Sequence, residues 1–162
     1  FPLPEAQLDR FLVRLSLGYP SAEQEARLLD MLRGGHPLDA LEPVVSVEDV
    51  LSCQQAIRAI EVHEKVRDYI VQLVQATREH EDVALGGSPR ASIALFRTAQ
   101  AIAAMRGRSY VLPDDVKRVS APVLTHRMIL KPEARLRKVV AEELVEEIVA
   151  EIAVPTLPQP AS

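Results

Sequence analysis

Apolar residues recur at three- and four-residue steps along most of the chain, and this period predicts amphipathic helices. Two of the helices begin with capping-box patterns, in which Ser21 precedes Gln24 and Ser46 precedes Asp49 by three residues. The pattern leaves open whether the second and third long helices are continuous. The predicted helices cover residues 4–11, 21–33, 46–60, 62–78, 88–107, 113–122 and 136–152.

Residues 11–17 follow a different pattern, because Phe11, Val13, Leu15 and Leu17 alternate with other side chains up to a break at Gly18. This two-residue period predicts a short β-strand, the only good strand signal in the sequence. A lone strand has nothing to pair with, so we expect its partners to lie outside this chain and residues 1–17 to be frayed or paired with another molecule. The predicted fold is an all-α helical bundle with a short strand remnant at its N-terminus.

Composition supports a helical core and limits the classes of function. The 162 residues are 48% hydrophobic and only 4% aromatic, so the core must consist mainly of Leu, Ile, Val and Ala. The formal net charge of −4 argues against a protein whose main role is nucleic-acid binding, which needs a basic surface. Cys53 is the single cysteine, and no apolar run approaches the roughly 18 residues of a membrane span. We therefore expect a cytoplasmic protein without a membrane span.

Sequence patterns typical of a complete enzyme are absent. The chain contains neither the phosphate loop G-x-x-x-x-G-K-[ST] nor G-x-G-x-x-G. His36, His63, His80 and His126 are scattered, so we predict no metal site. The chain begins at Phe1 rather than at Met, and we expect it to be a fragment of a longer protein.

The most informative stretch runs from Gly86 to Ser92 and reads Gly-Gly-Ser-Pro-Arg-Ala-Ser. Ser88 is a strong N-cap, Pro89 suits the first helical position, and a long helix follows. Arg90 therefore lies in the first turn, beside free N–H groups and the positive end of the helix dipole. A guanidinium in this place can contribute to a phosphate site, although the spacing alone favours a solvated arginine.

Arg10 is a second candidate, because it lies at the predicted junction between a helix and a strand. Such a junction can project an arginine across a subunit boundary, where it compensates charge on a transferring phosphoryl group. An ion pair with Asp9 or Glu5 explains the position of Arg10 equally well.

Two clusters of charged residues near the end of the chain are predicted to be solvated surface. For the acidic cluster, a partner-binding surface is the alternative. The clusters are the acids Glu142, Glu143, Glu146, Glu147 and Glu151 and the bases Arg127, Lys131, Arg135, Arg137 and Lys138.

Three motifs, taken together and in order, resemble the MoxR family of AAA+ ATPases over residues 1–130. Residues 1–11 (FPLPEAQLDRF) resemble the segment that closes the nucleotide-binding core of that family, and residues 86–91 (GGSPRA) resemble its sensor-2 motif. Residues 106–116 (RGRSYVLPDDV), followed by 123–127 (VLTHR), resemble its next helix start. The family more often has Thr or Ser where this chain has Leu112, so we expect a weaker cap there.

The resemblance implies a domain organisation. Residues 1–20 would be the end of the AAA+ core, residues 21–154 the helical lid domain and residues 155–162 a flexible tail. The phosphate loop and the Mg²⁺-binding motif would lie before Phe1. This chain alone would then be inactive, while the parent would bind ATP and Mg²⁺ and hydrolyse the ATP.

The resemblance also implies roles for single residues and for partners. Arg90 would be the sensor-2 arginine that contacts ATP, either of its own subunit or of the neighbouring one, with Ser88 and Pro89 shaping its helix start. Arg10 would be the arginine finger that acts on the ATP of a neighbouring subunit. The parent would form a homo-oligomeric ring, usually a hexamer. It would act as a chaperone-like remodelling or metalloenzyme-maturation ATPase, with a von Willebrand factor A-domain protein as a possible client.

Three other functions are compatible with parts of the sequence. The ATPase subunit of magnesium chelatase shares this lid type and would differ upstream of Phe1 and in its partner. A non-catalytic helical adaptor would bind a protein partner and would need neither Arg10 nor Arg90. A helix-turn-helix DNA-binding protein is disfavoured by the net charge.

Overall fold

The computed structural model describes residues 3–32, 38 and 41–157, and in this part of the chain the fold is all-α, as predicted. The predicted break at Gly34–Pro37, which includes His36, and the end of the tail at Pro158 and Pro160 lie outside the described residues. The described elements are the helices α1 (Glu5–Leu8), α2 (Ala22–Met31), α3 (Val47–Arg58), α4 (Glu64–Glu79), α5 (Pro89–Met105), α6 (Pro113–Leu124), α7 (Pro132–Leu136) and α8 (Ala141–Glu151) and the strands β1 (Val83–Leu85) and β2 (Ile129–Leu130).

The chain folds as two units, of which the smaller runs from Leu15 to Gln54. Both predicted capping boxes are confirmed in this unit. The Ser21 N–H donates to Gln24 Oε1 at 2.8 Å, and the Gln24 N–H donates to Ser21 Oγ at 3.3 Å. Ser46 and Asp49 exchange the same pair of hydrogen bonds at 2.9 and 3.1 Å. Each described residue of this unit is exposed, so its helix starts are determined by local capping and not by a core.

The hydrophobic core belongs to the larger unit, which comprises the residues up to Arg14 and those from Gln55 onward. Helix α4 is separate from α3, and the core stripe predicted for it is confirmed. In α5 the buried face is rich in alanine, whereas Ile93, which the three- and four-residue apolar period also places on the core face, is 62% exposed. The small side chains let α5 pack closely against α4 and α6. The buried residues of α4 and α5 include Val66, Tyr69, Ile70, Leu73, Val74, Ala91, Ala94, Leu95, Ala99 and Ala103.

The start of α6 contains a buried ion pair. Asp115 is fully buried and accepts two hydrogen bonds from the Arg108 guanidinium, at 2.8 and 2.6 Å. It also accepts the N–H of Leu112 at 2.9 Å, which supplies one half of a capping box. The Leu112 side chain caps nothing, as its chemistry predicts, so the carboxylate of Asp115 carries the polar contacts of this helix start.

The strand predicted at residues 11–17 is wrong, because these residues have no regular secondary structure. Two other interactions replace a sheet. The Arg14 N–H donates to the carbonyl oxygen of Pro122 at 2.9 Å, and the carbonyl oxygens of Phe11 and Leu12 accept from the Arg127 guanidinium. Residues 3–14 belong to the larger unit and make these contacts within the chain, while the fraying of residues 1–17 or their pairing with another molecule stays a prediction. The alternation of apolar residues could not reveal that the strand is missing, because it is a local pattern and a strand forms only where a partner strand is available.

The sheet of the described chain is formed by two short strands that the sequence pattern did not predict. Strands β1 and β2 pair antiparallel, with Val83 opposite Leu130 and Leu85 opposite Ile129. Each strand has at most three residues, too few for an alternating pattern to be recognised. The pair places the loop after β1 next to the turn that follows α6.

The last predicted helix, at residues 136–152, is interrupted. Helix α7 ends at Leu136 and α8 begins at Ala141, and between them Lys138 has a φ of 61°, in the left-handed region. The predicted apolar stripe is therefore correct only beyond the break: Leu144 and Ile148 are buried, whereas Leu136 is 84% exposed.

Candidate functional site

The loop that precedes α5 is fastened to the end of α4. The Gly87 N–H donates to Thr77 Oγ1 at 2.9 Å, and Arg78 Nε donates to the Gly87 carbonyl oxygen at 2.7 Å. A Cβ on Gly86 would lie only 2.6 Å from backbone atoms of Thr77 and Arg78, so only glycine allows this approach. These contacts fix where α5 begins, and therefore where its first-turn side chains lie.

The first turn of α5 has the capping geometry that the sequence predicts. Ser88 has an extended backbone, and its Oγ accepts the N–H of Arg90 at 3.1 Å. Pro89 occupies the first helical position, where its missing N–H has no intrahelical partner to lose. Arg90 thus extends from a well-defined helix start.

Asp9 lies against this helix start. Its carboxylate oxygens accept the Ser88 hydroxyl at 3.1 and 3.0 Å, and Arg90 Nη1 lies 3.5 Å from Asp9 Oδ2. The Arg90 side chain remains 61% exposed, whereas that of Asp9 is 18% exposed. Arg90 is therefore neither fully solvated nor sequestered, and its guanidinium can reach a ligand in front of α5.

Arg127 is the buried counterpart of Arg90 on the other side of Asp9. Its side chain is 2% exposed, and its Nε lies 3.4 Å from Asp9 Oδ1. Burial lowers the pKa of this guanidinium, and the charge of Asp9 opposes that effect. We predicted Arg127 to be part of a solvated cluster, and this is wrong, because its side chain is buried and its Nη1 and Nη2 groups donate to the carbonyl oxygens of Phe11, Leu12 and Val123.

Arg10 directly follows Asp9 and is exposed. Its backbone N–H donates to the Gln7 carbonyl oxygen at 3.1 Å, which continues the last turn of α1. Within residues 3–32, 38 and 41–157, no ion pair joins its guanidinium to Asp9 or Glu5. Asp9 pairs with Arg90 and Arg127 instead. The ion-pair alternative for Arg10 is therefore not what the structure contains.

An open groove of about 810 Å³ lies between α1 and the start of α5. Asp9, Ser88 and Pro89 line one part of it, and Arg78, Arg127 and Arg135 bring positive charge to its wall. Arg90 lies at the first turn beside this groove. The arrangement combines a helix N-terminus with several guanidinium groups, which is the chemistry that holds phosphate oxygens.

Other residues that the sequence singled out do not join this groove, apart from His126. The described chain has no cluster of three or more potential metal-ligating side chains. His63 caps α4, and His80 Nδ1 accepts the Asp82 N–H at 3.1 Å. Cys53 is exposed. No helix among the described residues is both long and apolar enough to cross a bilayer.

His126 provides a test of how residues 11 and 12 are held. Its Nε2 lies 3.0 Å from the Phe11 carbonyl oxygen, and burial lowers the pKa of the ring below its ordinary value of 6.5, assisted by the positive charge of Arg127. The folded state therefore binds fewer protons than the unfolded state just below pH 6.5.

We expect the free energy of unfolding to fall as the pH is lowered from about 7 to about 5, because the unfolded ring protonates first. The His126→Gln variant, whose amide can still donate to Phe11, should lose that part of the pH dependence. Denaturant titrations at a series of pH values measure it. Parallel pH profiles for the variant and the wild type would contradict the assignment.

Two residues that build this region, Asp9 and Arg127, could not be found from the sequence pattern alone. Asp9 appeared only as a possible partner of Arg10, and Arg127 only as one member of a basic cluster. The hydrogen bonds of Asp9 to Ser88 join residues 79 positions apart, and a local pattern carries no signal at that distance. The VLTHR motif at 123–127 was the sole indication that Arg127 differs from its basic neighbours.

Comparisons with known proteins agree with this geometry. A family model described as the AAA lid domain matches residues 75–148. The chain is 45% identical to the uncharacterized protein YeaC of Bacillus subtilis over 96% of this chain and 48% of that protein. It is 37% identical to the chaperone MoxR1 of Mycobacterium tuberculosis over 96% of this chain and 43% of that protein.

A solved structure has the same fold. The crystal structure of a protein proposed to be an ATPase, from Cytophaga hutchinsonii, superposes with a TM-score of 0.87 at 33% identity, covering 96% of this chain and 50% of that one. The chain spans about half the length of the curated relatives it matches.

Proposed function

We propose that this chain, which belongs to the MoxR family of AAA+ proteins, supplies the lid of an ATPase together with two arginines that act on ATP. Arg90 serves as the sensor-2 arginine, which contacts the γ-phosphate and couples it to movement of the lid. Ser88 and Pro89 shape the helix start that presents Arg90. Arg10 serves as the arginine finger for the ATP held by a neighbouring subunit.

The observation that carries the proposal is the contrast between three arginines of one region. Arg127 is buried and uses its donors on the protein itself. Among the described residues, the Arg90 guanidinium has one long ion pair and the Arg10 guanidinium has no hydrogen bond or ion pair, and both residues are exposed. A structural arginine has the environment of Arg127, whereas a guanidinium that must reach a phosphate has to remain available.

The remaining parts of the proposal concern the whole protein. ATP and Mg²⁺ bind to a core that precedes these residues, and the subunits assemble into a homo-oligomeric ring, which we propose to be a hexamer. The domain boundaries at residues 20 and 154 are part of this proposal. The ring remodels a client protein, for which a von Willebrand factor A-domain protein is our candidate.

ATP hydrolysis by the full-length protein tests the role of Arg90. We expect Arg90→Ala to lower kcat by about 10²-fold, the usual effect of losing one charge-stabilising donor. Arg67→Ala is the matched control, because Arg67 is 59% exposed and pairs with a neighbouring aspartate, Asp68. It should hydrolyse ATP at the wild-type rate.

The same measurement distinguishes the proposal from its main rival. If Arg90→Ala and Arg10→Ala both hydrolyse ATP like the wild type, the arginines are structural and the chain is better described as a partner-binding module. If the full-length wild type hydrolyses no ATP, the proposed function itself fails.

A further inference from the structure

Asp9 connects the two candidate arginines. It is adjacent to Arg10 in the sequence, and its carboxylate contacts both Ser88 and Arg90 at the start of α5. Consecutive Cα atoms are about 3.8 Å apart, so a shift of the Asp9 backbone also moves Arg10. No other described residue both contacts the Arg90 side chain and adjoins Arg10.

Asp9 faces two guanidinium groups with a single negative charge. Arg127 is its buried partner at 3.4 Å, with a side chain 2% exposed, and Arg90 is its exposed partner at 3.5 Å. An ion pair with one partner this exposed contributes little to stability, whereas an arginine can bind a phosphate through two parallel, charge-assisted hydrogen bonds. A phosphate in front of α5 can therefore take Arg90 from Asp9 at little cost, and it leaves Asp9 bound to Arg127 and Ser88.

We propose that Asp9 is a positioning residue that couples the two arginines: it sets the position of Arg10 according to whether Arg90 is bound to nucleotide. In the structure Arg90 Nη1 lies 3.5 Å from Asp9 Oδ2. When nucleotide binds, Asp9 loses one of its two positive partners and readjusts, and the adjoining Arg10 moves with it. This rests on the proposed roles of Arg10 and Arg90 and adds the link between one subunit's nucleotide and the finger offered to its neighbour.

The Asp9→Asn variant of the full-length protein removes the charge but keeps an oxygen that can accept the Ser88 hydroxyl. We expect kcat to fall by about 10²-fold, the scale of a misplacement of about 1 Å. Affinity for a fluorescent ATP analogue should stay at the wild-type level or increase, because Arg90 no longer has a competing carboxylate. Asp68→Asn is the matched control, since Asp68 also pairs with an arginine but lies on α4 and is 58% exposed.

Mixed rings separate positioning of Arg10 from a purely structural effect. Asp9→Asn subunits, which keep an intact nucleotide site, are mixed with subunits that bind ATP but cannot hydrolyse it, because the carboxylate that activates the attacking water is removed, and that keep Asp9, Arg10 and Arg90. We expect turnover to recover, because each Asp9→Asn site can then receive a correctly positioned Arg10 from its neighbour. A local folding defect in the Asp9→Asn subunit would not be repaired in this way.

Two results would overturn the proposal: turnover by Asp9→Asn equal to that of Asp68→Asn, or lost turnover that mixing does not restore. If Asp9→Asn fails to fold, Ser88→Ala takes its place, because it removes the hydroxyl that contacts Asp9 and leaves the pair of Asp9 with Arg127 intact. These outcomes differ from failure of the proposed function, in which Arg10→Ala and Arg90→Ala would themselves be fully active.

Discussion

Arg10→Ala should lower ATP turnover by the full-length ring by about 10³- to 10⁵-fold, the range known for arginine fingers. The physical reason is that a transferring phosphoryl group gathers charge on its oxygens, which a correctly placed guanidinium compensates. Arg10 has the environment for this role, since it is exposed at the end of α1 and its neighbour Asp9 is already paired with Arg90 and Arg127. Steady-state phosphate release measures the effect.

The matched control for Arg10 is Arg14→Ala. Arg14 lies in the same segment, its side chain is 66% exposed, and its one ion pair, with Glu142, has a distance of 3.9 Å. Removing such an exposed pair should leave turnover at the wild-type rate. If Arg14→Ala lowers turnover as much as Arg10→Ala does, the loss reflects disturbance of residues 3–14 and not the chemistry of a finger.

Mixing decides whether Arg10 acts across the subunit boundary. Arg10→Ala subunits have an intact nucleotide site, and subunits that bind ATP but lack the carboxylate that activates the attacking water have an intact Arg10. Neither should hydrolyse ATP at the wild-type rate alone, and the mixture should recover turnover if the finger is supplied in trans. A mixture as inactive as its components would restrict Arg10 to its own subunit's nucleotide.

The features that the sequence predicted correctly are those decided within a few residues. The caps at Ser21, Ser46 and Ser88 are confirmed because each hydrogen bond joins positions two or three apart. The helix end at Gly107 is correct for the same reason, since a glycine with a φ of +68° terminates a helix locally.

The predictions that failed depended on distant partners. Alternation at residues 11–17 predicted a strand, but the carbonyl oxygens there are bound by Arg127, more than a hundred positions away. The break at Lys138 depends on a left-handed backbone that lysine seldom adopts. The four-residue apolar period continues through this position, so the sequence pattern did not reveal the break. The environment of Arg90 depended on Asp9, which only the folded chain brings beside α5.

Asp115→Ala is expected to give a large loss of stability. It leaves Arg108 without the carboxylate that accepts two of its hydrogen bonds, and the Leu112 N–H without an acceptor. Breaking a buried pair from one side costs about 3–5 kcal/mol. We expect about 3 kcal/mol, the lower end of that range, because Arg108 is 19% exposed and regains some water. Denaturant unfolding followed by helical circular dichroism measures the change in the free energy of unfolding.

The neighbouring carboxylate is the control for Asp115. Asp114 lies in the same first turn of α6 but is 77% exposed, so Asp114→Ala should change the free energy of unfolding by no more than about 0.5 kcal/mol. Equal losses in the two variants would assign the effect to the helix dipole, which both carboxylates experience, and not to the buried pair.

The pH dependence gives an independent measure of the same pair. Burial alone raises the pKa of Asp115, but the hydrogen bonds from Arg108 and from the Leu112 N–H outweigh it, so the pKa lies below the ordinary value of 3.8. The unfolded state then binds the proton first, and the contribution of Asp115 to stability is present above that value and is lost as the pH falls below it. This pH window lies well below the window for His126, so the contributions of Asp115 and His126 to stability can be separated in one pH titration of the unfolding free energy. An Asp115→Ala protein that still loses stability with the wild-type slope below pH 4 would show that another carboxylate is responsible.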